Sequence, residues 1–277
     1  MGSVLLLPTF QSQKFFGCQA LNGGQTKTRL PTLPGYCYHR HHTIQKLMLH
    51  WDNEELEEVR HKVLVMGGLV KKQVADGLTA LLNSDSSLGE VVAGADFEIN
   101  AMEVAIDEQC THILARRQPA ASDLRLVISV IKTITDLERI GDEAEKLGRY
   151  AMPMADKKIT PAYFVTLRHL DEHVKVMLHN SLDAFAHNDA EEALTTIASD
   201  EQINKEFEAI LRQLITQMME NPRDIKKAMQ ISLCARALER IGDHSKNICE
   251  YVVYLVKGKD VRHISLDRLN KRVSTDK

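Results

Sequence analysis

The chain has 277 residues, 44% of them hydrophobic, enough to fill one large core or two ordinary ones. Its formal charge of -3, from 35 basic and 38 acidic residues, supplies no global basic field for nucleic acid or anionic lipid, and no apolar run approaches the ~20 residues that cross a bilayer. The five cysteines are scattered and form no CxxC pair, which excludes a disulfide framework and a thiolate zinc site and fits a reducing cytoplasm.

Residues 1–47 carry Pro8, Pro31 and Pro34 with several glycines and show no helical period, so they read as a disordered or non-native N-terminal extension. The opening "MGSVLLLP" lacks the basic n-region of a signal peptide, and Leu6 stands where a myristoylation signal needs Ser or Thr. From Asp52 the texture changes. Apolar residues recur at helical spacing, and the alternation of strands is missing.

A first helix is predicted over 53–83, with Leu56, Val59, Val63, Met66 and Val70 on one seam, ended by "NSDSS". A second follows over 86–116, with Val92, Ala95, Ile99, Met102, Ile106 and Ile113 as its stripe. Ser122, after "QPAAS", has the chemistry of an N-cap for a third helix that runs to about 151. The segment "MPMADKKITP" reads as a linker. Helices over 161–188, 190–220 and 223–258 then repeat the plan. The fold class is therefore all-α, two tandem up-and-down three-helix bundles: 48–155 and 156–260, followed by a C-terminal tail at 261–277.

One hexapeptide, LERIGD, occurs in the third helix of each half, at 137–142 and 238–243, an offset of 101 residues. Its glycines, Gly141 and Gly242, fall on the apolar seam, where a mid-helix glycine costs ~1 kcal/mol relative to alanine, so a neighbouring helix is expected to approach closely there. Glu138 with Asp142, and Glu239 with Asp243, are like charges one turn apart, a repulsion of roughly 0.2–0.5 kcal/mol per pair that calls for compensation. Antiparallel packing about turns centred near 118–119 and 221 places Asp96 and Asn100 level with the first pair, and Asp200 and Asn204 level with the second.

Each half is thus expected to juxtapose three carboxylates and an amide. Oxygen ligands without His or Cys suit a divalent or iron-type ion such as Mg, Mn, Zn or Fe. The same pattern also fits a solvated acidic face relieved by Arg139, Arg240 and nearby lysines. Glu103 and Asp107 repeat the spacing but have no level partner in the second half, and read as surface charges.

Other constellations carry less. A di-metal carboxylate enzyme, the alternative function, requires Glu-x-x-His on two helices, and only Glu58 with His61 has that spacing. His112, His169, His173 and His179 read as surface histidines, and "HRHH" at 39–42 lies in the extension. Gly67 and Gly68 in "MGGLV" follow no strand and precede no GK[ST], so they read as packing glycines. No nucleophile has a base and an orienter.

The motifs "MGGLV" (66–70), "RRQPAASDLR" (116–125), "LERIGDEAEK", "MMENPRDI" (218–225) and "LERIGDHSKNICEYVVYLVKG" (238–258) resemble the PhoU family of phosphate-transport accessory regulators, over about 50–268. The resemblance implies two three-helix bundles and a cytoplasmic homodimer. It implies metal binding through ExxxD motifs, here Glu138 with Asp142, Glu239 with Asp243, and the Asp96 and Asp200 pairs, with an amide at Asn100 and Asn204 in place of the second carboxylate. It also implies a protein that bridges a phosphate ABC transporter ATPase and a sensor histidine kinase, holding the kinase inhibitory when phosphate is plentiful. A structural dimer whose carboxylates bind nothing in the cell is the remaining reading.

Overall fold

A computed structural model describes residues 37–154 and 161–262 of the chain. Among these residues it is helical throughout: α1 (Cys37–Asn83), α2 (Ser86–Ala93), α3 (Asp96–Arg117), α4 (Ala121–Ala151), α5 (Pro161–His187), α6 (Ala190–Glu220) and α7 (Ile225–Lys257), with short 3-10 turns at Met152–Met154 and Pro222–Asp224. The all-α expectation holds, and the helices run in two successive sets, α1 to α4 and α5 to α7.

Four details differ from the sequence reading. First, α1 begins at Cys37, not near 53, so 37–47 are helical. The last breakers before it are Pro34 and Gly35, and nothing from 37 onward interrupts a helix. Residues 1–36 lie outside the described residues, as do most of the expected linker and the tail from 263.

Second, the predicted second helix is two. Gly94 ends α2, its N–H bonding Glu90 O and Val91 O, and α3 restarts at Asp96. The break lets α2 lie tight on α4. A Cβ on Gly89 would meet Gly148 O at 2.9 Å, and one on Gly148 would meet Gly89 O at 2.7 Å. Third, Ala120 precedes α4 without a side-chain cap, and Ser122 instead donates to Asp123 within the first turn. Asp85 and Asp189 are the carboxylates that do cap helices, accepting from Leu88 N and from Glu191 N and Glu192 N.

The fourth is register. The seam glycines show it: Gly141 packs on Ile99 (3.2 Å to the Cβ it lacks) and Gly242 on Ile203 (3.2 Å). Facing numbers therefore sum to 240 (141 + 99) and 445 (242 + 203), against the expected 237 and 442, a slip of about one turn in each half. Because both halves slip alike, the correspondence between them survives.

The buried seam of α1, from Leu56 through Val59, Val63, Met66, Val70, Val74, Leu78 and Leu81, packs into one continuous core with α4 and α7. Gly67 is a packing glycine, as expected, since Leu182 of α5 would sit 2.7 Å from a Cβ there. Gly68 faces open space.

The halves meet through α4 and α7. Asp136 faces His244, Glu143 faces Arg240, Ser129 Oγ donates to Tyr251 O, and Arg125 Nε donates to Leu255 O. These pairs run antiparallel, with residue numbers summing to 380–383, which lays the two LERIGD segments side by side. The seam carboxylates Asp136 and Glu143 belong to α4, and His244 and Arg240, which face them, belong to α7. Lys132 adds a cation–π contact, 5.4 Å from the Tyr251 ring centroid.

Candidate metal centre

Three carboxylates of the first half converge. Asp96, at the start of α3, and Asp142 and Glu145 on α4 each offer an oxygen within 4.8 Å of the other two. All three are half-buried. The amide of Asn100 donates to Asp96 Oδ2 at 2.6 Å, while Asp96 Oδ1 and Asn100 Oδ1 are buried and have no hydrogen-bond partner. Two inward oxygens without donors, beside converging carboxylates, are the donor set a hard cation satisfies.

Glu138 flanks this group. Burial and the Asp142 charge raise its pKa, with Glu103 and Asp96 adding to the effect and Arg139, 3.4 Å away, opposing it. Glu103 adds its charge to these acidic surroundings without joining the converging group, in keeping with its reading as a surface charge.

Of the eight residues expected at metal sites, the structure brings Asp96 and Asn100 together with Asp142, and sets Glu138 beside them. Glu145 was missed. The signal was available: 138, 142 and 145 follow the i, i+4, i+7 spacing of one helix face. The one-turn slip explains why Glu145 and not Glu138 completes the group, since Asp96 is level with about 144.

In the second half Asp200 and Asn204 repeat the geometry, Asn204 donating to Asp200 Oδ2 at 3.2 Å. Glu239 and Asp243 are close by, and burial raises both, followed by Asp243 for Glu239 and by Asp200 for Asp243. Here, however, Lys246 Nζ sits 2.8 Å from Asp200 Oδ2, and Arg236 Nη1 sits 3.1 Å from Glu239 Oε1. Burial opposes the Lys246 charge, but its bond to Asp200 prevails and raises its pKa.

The weaker candidates take ordinary roles. Glu58 pairs with Lys62 at 2.8 Å. His173 pairs with Glu206, and His179 contacts Lys71, both at the surface. Among the described residues no histidine joins a group of converging ligands. The "HRHH" at 39–42 has no described side chains. Nor is any described helix long and apolar enough to cross a membrane.

A helical unit built twice, joined along its two hexapeptide helices with carboxylates gathered beside them, defines a duplicated helical scaffold. Its family follows from comparison with known proteins. The chain belongs to the PhoU family, whose domain matches residues 63–151 and 167–252, one copy in each half. It is 50% identical over 233 residues to the phosphate-specific transport system accessory protein PhoU homolog of Pseudomonas putida, covering 84% of this chain and 89% of that protein. It is 48% identical over 219 residues to the accessory protein PhoU of Escherichia coli, covering 79% and 90%.

The crystal structure of PhoU from Pseudomonas aeruginosa superposes with a TM-score of 0.73 at 50% identity, covering 75% of this chain and 99% of that one. The phosphate transport system regulatory protein PhoU from Streptococcus pneumoniae gives 0.71 at 30% identity, covering 76% and 99%. These relatives are named as accessory or regulatory proteins of phosphate transport.

Proposed function

We propose that this protein regulates phosphate uptake as a negative regulator of the phosphate-starvation response. It works in the cytoplasm as a homodimer and bridges the ATPase of a phosphate ABC transporter to a sensor histidine kinase. The observation that carries the reading is its likeness to phosphate-specific transport accessory proteins over about nine-tenths of their length, at about half identity. The exposed face of such a scaffold, not a catalytic pocket, is its working part.

We further propose that the first-half group binds a divalent or iron-type ion through Asp96, Asp142 and Glu145, with Glu138 as a flanking charge. What supports this is the convergence of their oxygens and the unpartnered buried Asp96 Oδ1 and Asn100 Oδ1. Once bound, the ion neutralises like charges and crosslinks α3 to α4, fixing the surface those helices present.

Deleting the gene should leave phosphate-starvation genes expressed in phosphate-rich medium, and normal repression would remove the regulatory reading. Purified protein, with and without metal, should retain the transporter ATPase and the kinase in pull-downs. Failure to retain either would remove the bridging role.

A further inference from the structure

The duplication predicts two equivalent metal groups, one per half; in the first, Arg149 and Arg139 meet the more exposed carboxylates Glu145 and Glu138, but three corresponding positions differ in charge between the halves. Aligned through the hexapeptides (offset 101), Glu145 corresponds to Lys246 and Thr135 to Arg236. Aligned through Asp96 and Asp200 (offset 104), Glu103 corresponds to Phe207. The carboxylate that completes the first group is therefore a lysine in the second, and a flanking acid is a phenyl ring.

The replacements act together. Lys246 Nζ reaches Asp200 Oδ2 at 2.8 Å, Arg236 bonds Glu239 Oε1 at 3.1 Å, and the Arg236 guanidinium lies over the Phe207 ring, 5.6 Å from its centroid. Asp200 and Glu239 are both more than nine-tenths buried. An ammonium held on a buried carboxylate does by charge what a cation would do by coordination, and the two exclude each other at short range.

Resting on the metal reading above, we propose that the two halves are not equivalent: the first half is the metal site, and in the second Lys246 takes the cation's place on Asp200 while Arg236 holds Glu239. The second group is the self-neutralised counterpart of the first. Its remaining oxygens, Asp200 Oδ1 and Glu239 Oε2, are buried without hydrogen-bond partners, so removing the lysine leaves a donor set open to an ion.

The test is a titration of the metal-stripped full-length protein with Mn²⁺, reading bound metal per chain by elemental analysis and calorimetry, with circular dichroism to check folding. Asp96→Ala combined with Glu145→Ala should lose most of the bound Mn²⁺, whereas Asp200→Ala should lose little. Lys246→Glu, which restores the acid found at Glu145, should add about as much metal as the double variant removes, and Lys246→Ala should add a weaker site.

Equal losses in the Asp96/Glu145 and Asp200 variants, or no gain in either Lys246 variant while the wild type binds metal, overturn the inequivalence and leave the metal reading intact. No bound Mn²⁺ in the wild type or in either Lys246 variant overturns the metal reading itself, and the inequivalence with it.

Discussion

His244 Nδ1 on α7 lies 2.7 Å from Asp136 Oδ1 on α4, and the amide of Asn247 donates to the same oxygen at 3.0 Å. One buried carboxylate of the first half is thus held by His244 and Asn247 of the second, with the Tyr251 hydroxyl also bonded to it. Asp136→Ala should strand both partners and lower stability by roughly 1–3 kcal/mol, which is several degrees in Tm for a chain of this size. His244→Ala, which leaves Asn247 in place, should cost less. Thermal denaturation of both variants checks the order, and a wild-type Tm for Asp136→Ala would show that the contact contributes nothing.

The carboxylates around the hexapeptides should make stability depend on pH in an unusual direction. Glu138, Glu239 and Asp243 have folded-state pKa values above their ordinary 4.5, 4.5 and 3.8, because burial and like charges disfavour their ionised forms. A raised acid binds its proton more tightly when folded, so its contribution is complete below the unfolded value and is lost as pH rises through the folded one. In metal-free protein, Glu138→Gln and Glu239→Gln should therefore lose less stability than wild type as pH rises above 4.5. Urea titrations across that range measure the slopes. Identical slopes would show that these groups are not strained in the fold.

The glycines should not behave alike. A Cβ at Gly148 would press on a backbone oxygen that has nowhere to go, so Gly148→Ala should destabilise by about 1–3 kcal/mol. At Gly141 the neighbour is the end of the Ile99 side chain, which can turn away, and the helix propensity of alanine offsets part of the crowding. Gly68 is exposed with open space around it, so Gly68→Ala should stabilise by about 0.5–1 kcal/mol. Chemical denaturation of the three variants should rank them in that order.

Cys110 and Cys234 are buried in apolar surroundings that push their thiols up to about 12, and Cys249 is raised further in the same direction. The thiolate is the reactive form, so all three should resist alkylation at neutral pH in native protein and react once it is unfolded. Peptide mapping after iodoacetamide treatment distinguishes the two states. Rapid native labelling of Cys234 would show that α7 opens far more readily than its packing implies.

Much of the fold was legible because helices announce themselves locally. The apolar period placed the helices, and the repeated LERIGD revealed the duplication. What periodicity did not carry was the break at Gly94. A glycine inside an apolar stripe is tolerated in many helices, and here it ends one because α2 must settle against Gly148 of α4.

The candidate site was legible as a set of residue types but not as a set of contacts. Asp96 and Asp142 came together as expected, yet Glu145 replaced Glu138 as their third partner. Turn geometry fixes the height of one helix against another only to within about a turn, and one turn decides which of two acids on the same face points at Asp96.

By itself, then, the sequence determined the all-α class, the duplication and the acidic character of the repeated segment, since each is written in local spacing and residue type. Only the tertiary structure set Lys246 against Asp200 across two helices. Lys246 is an ordinary surface-type residue in the sequence, and it is the packing of α6 against α7 that sets its charge on Asp200, a pairing that nothing local to either helix could have shown, whereas Arg236 and Glu239 are an i,i+3 pair within α7 that spacing alone permits.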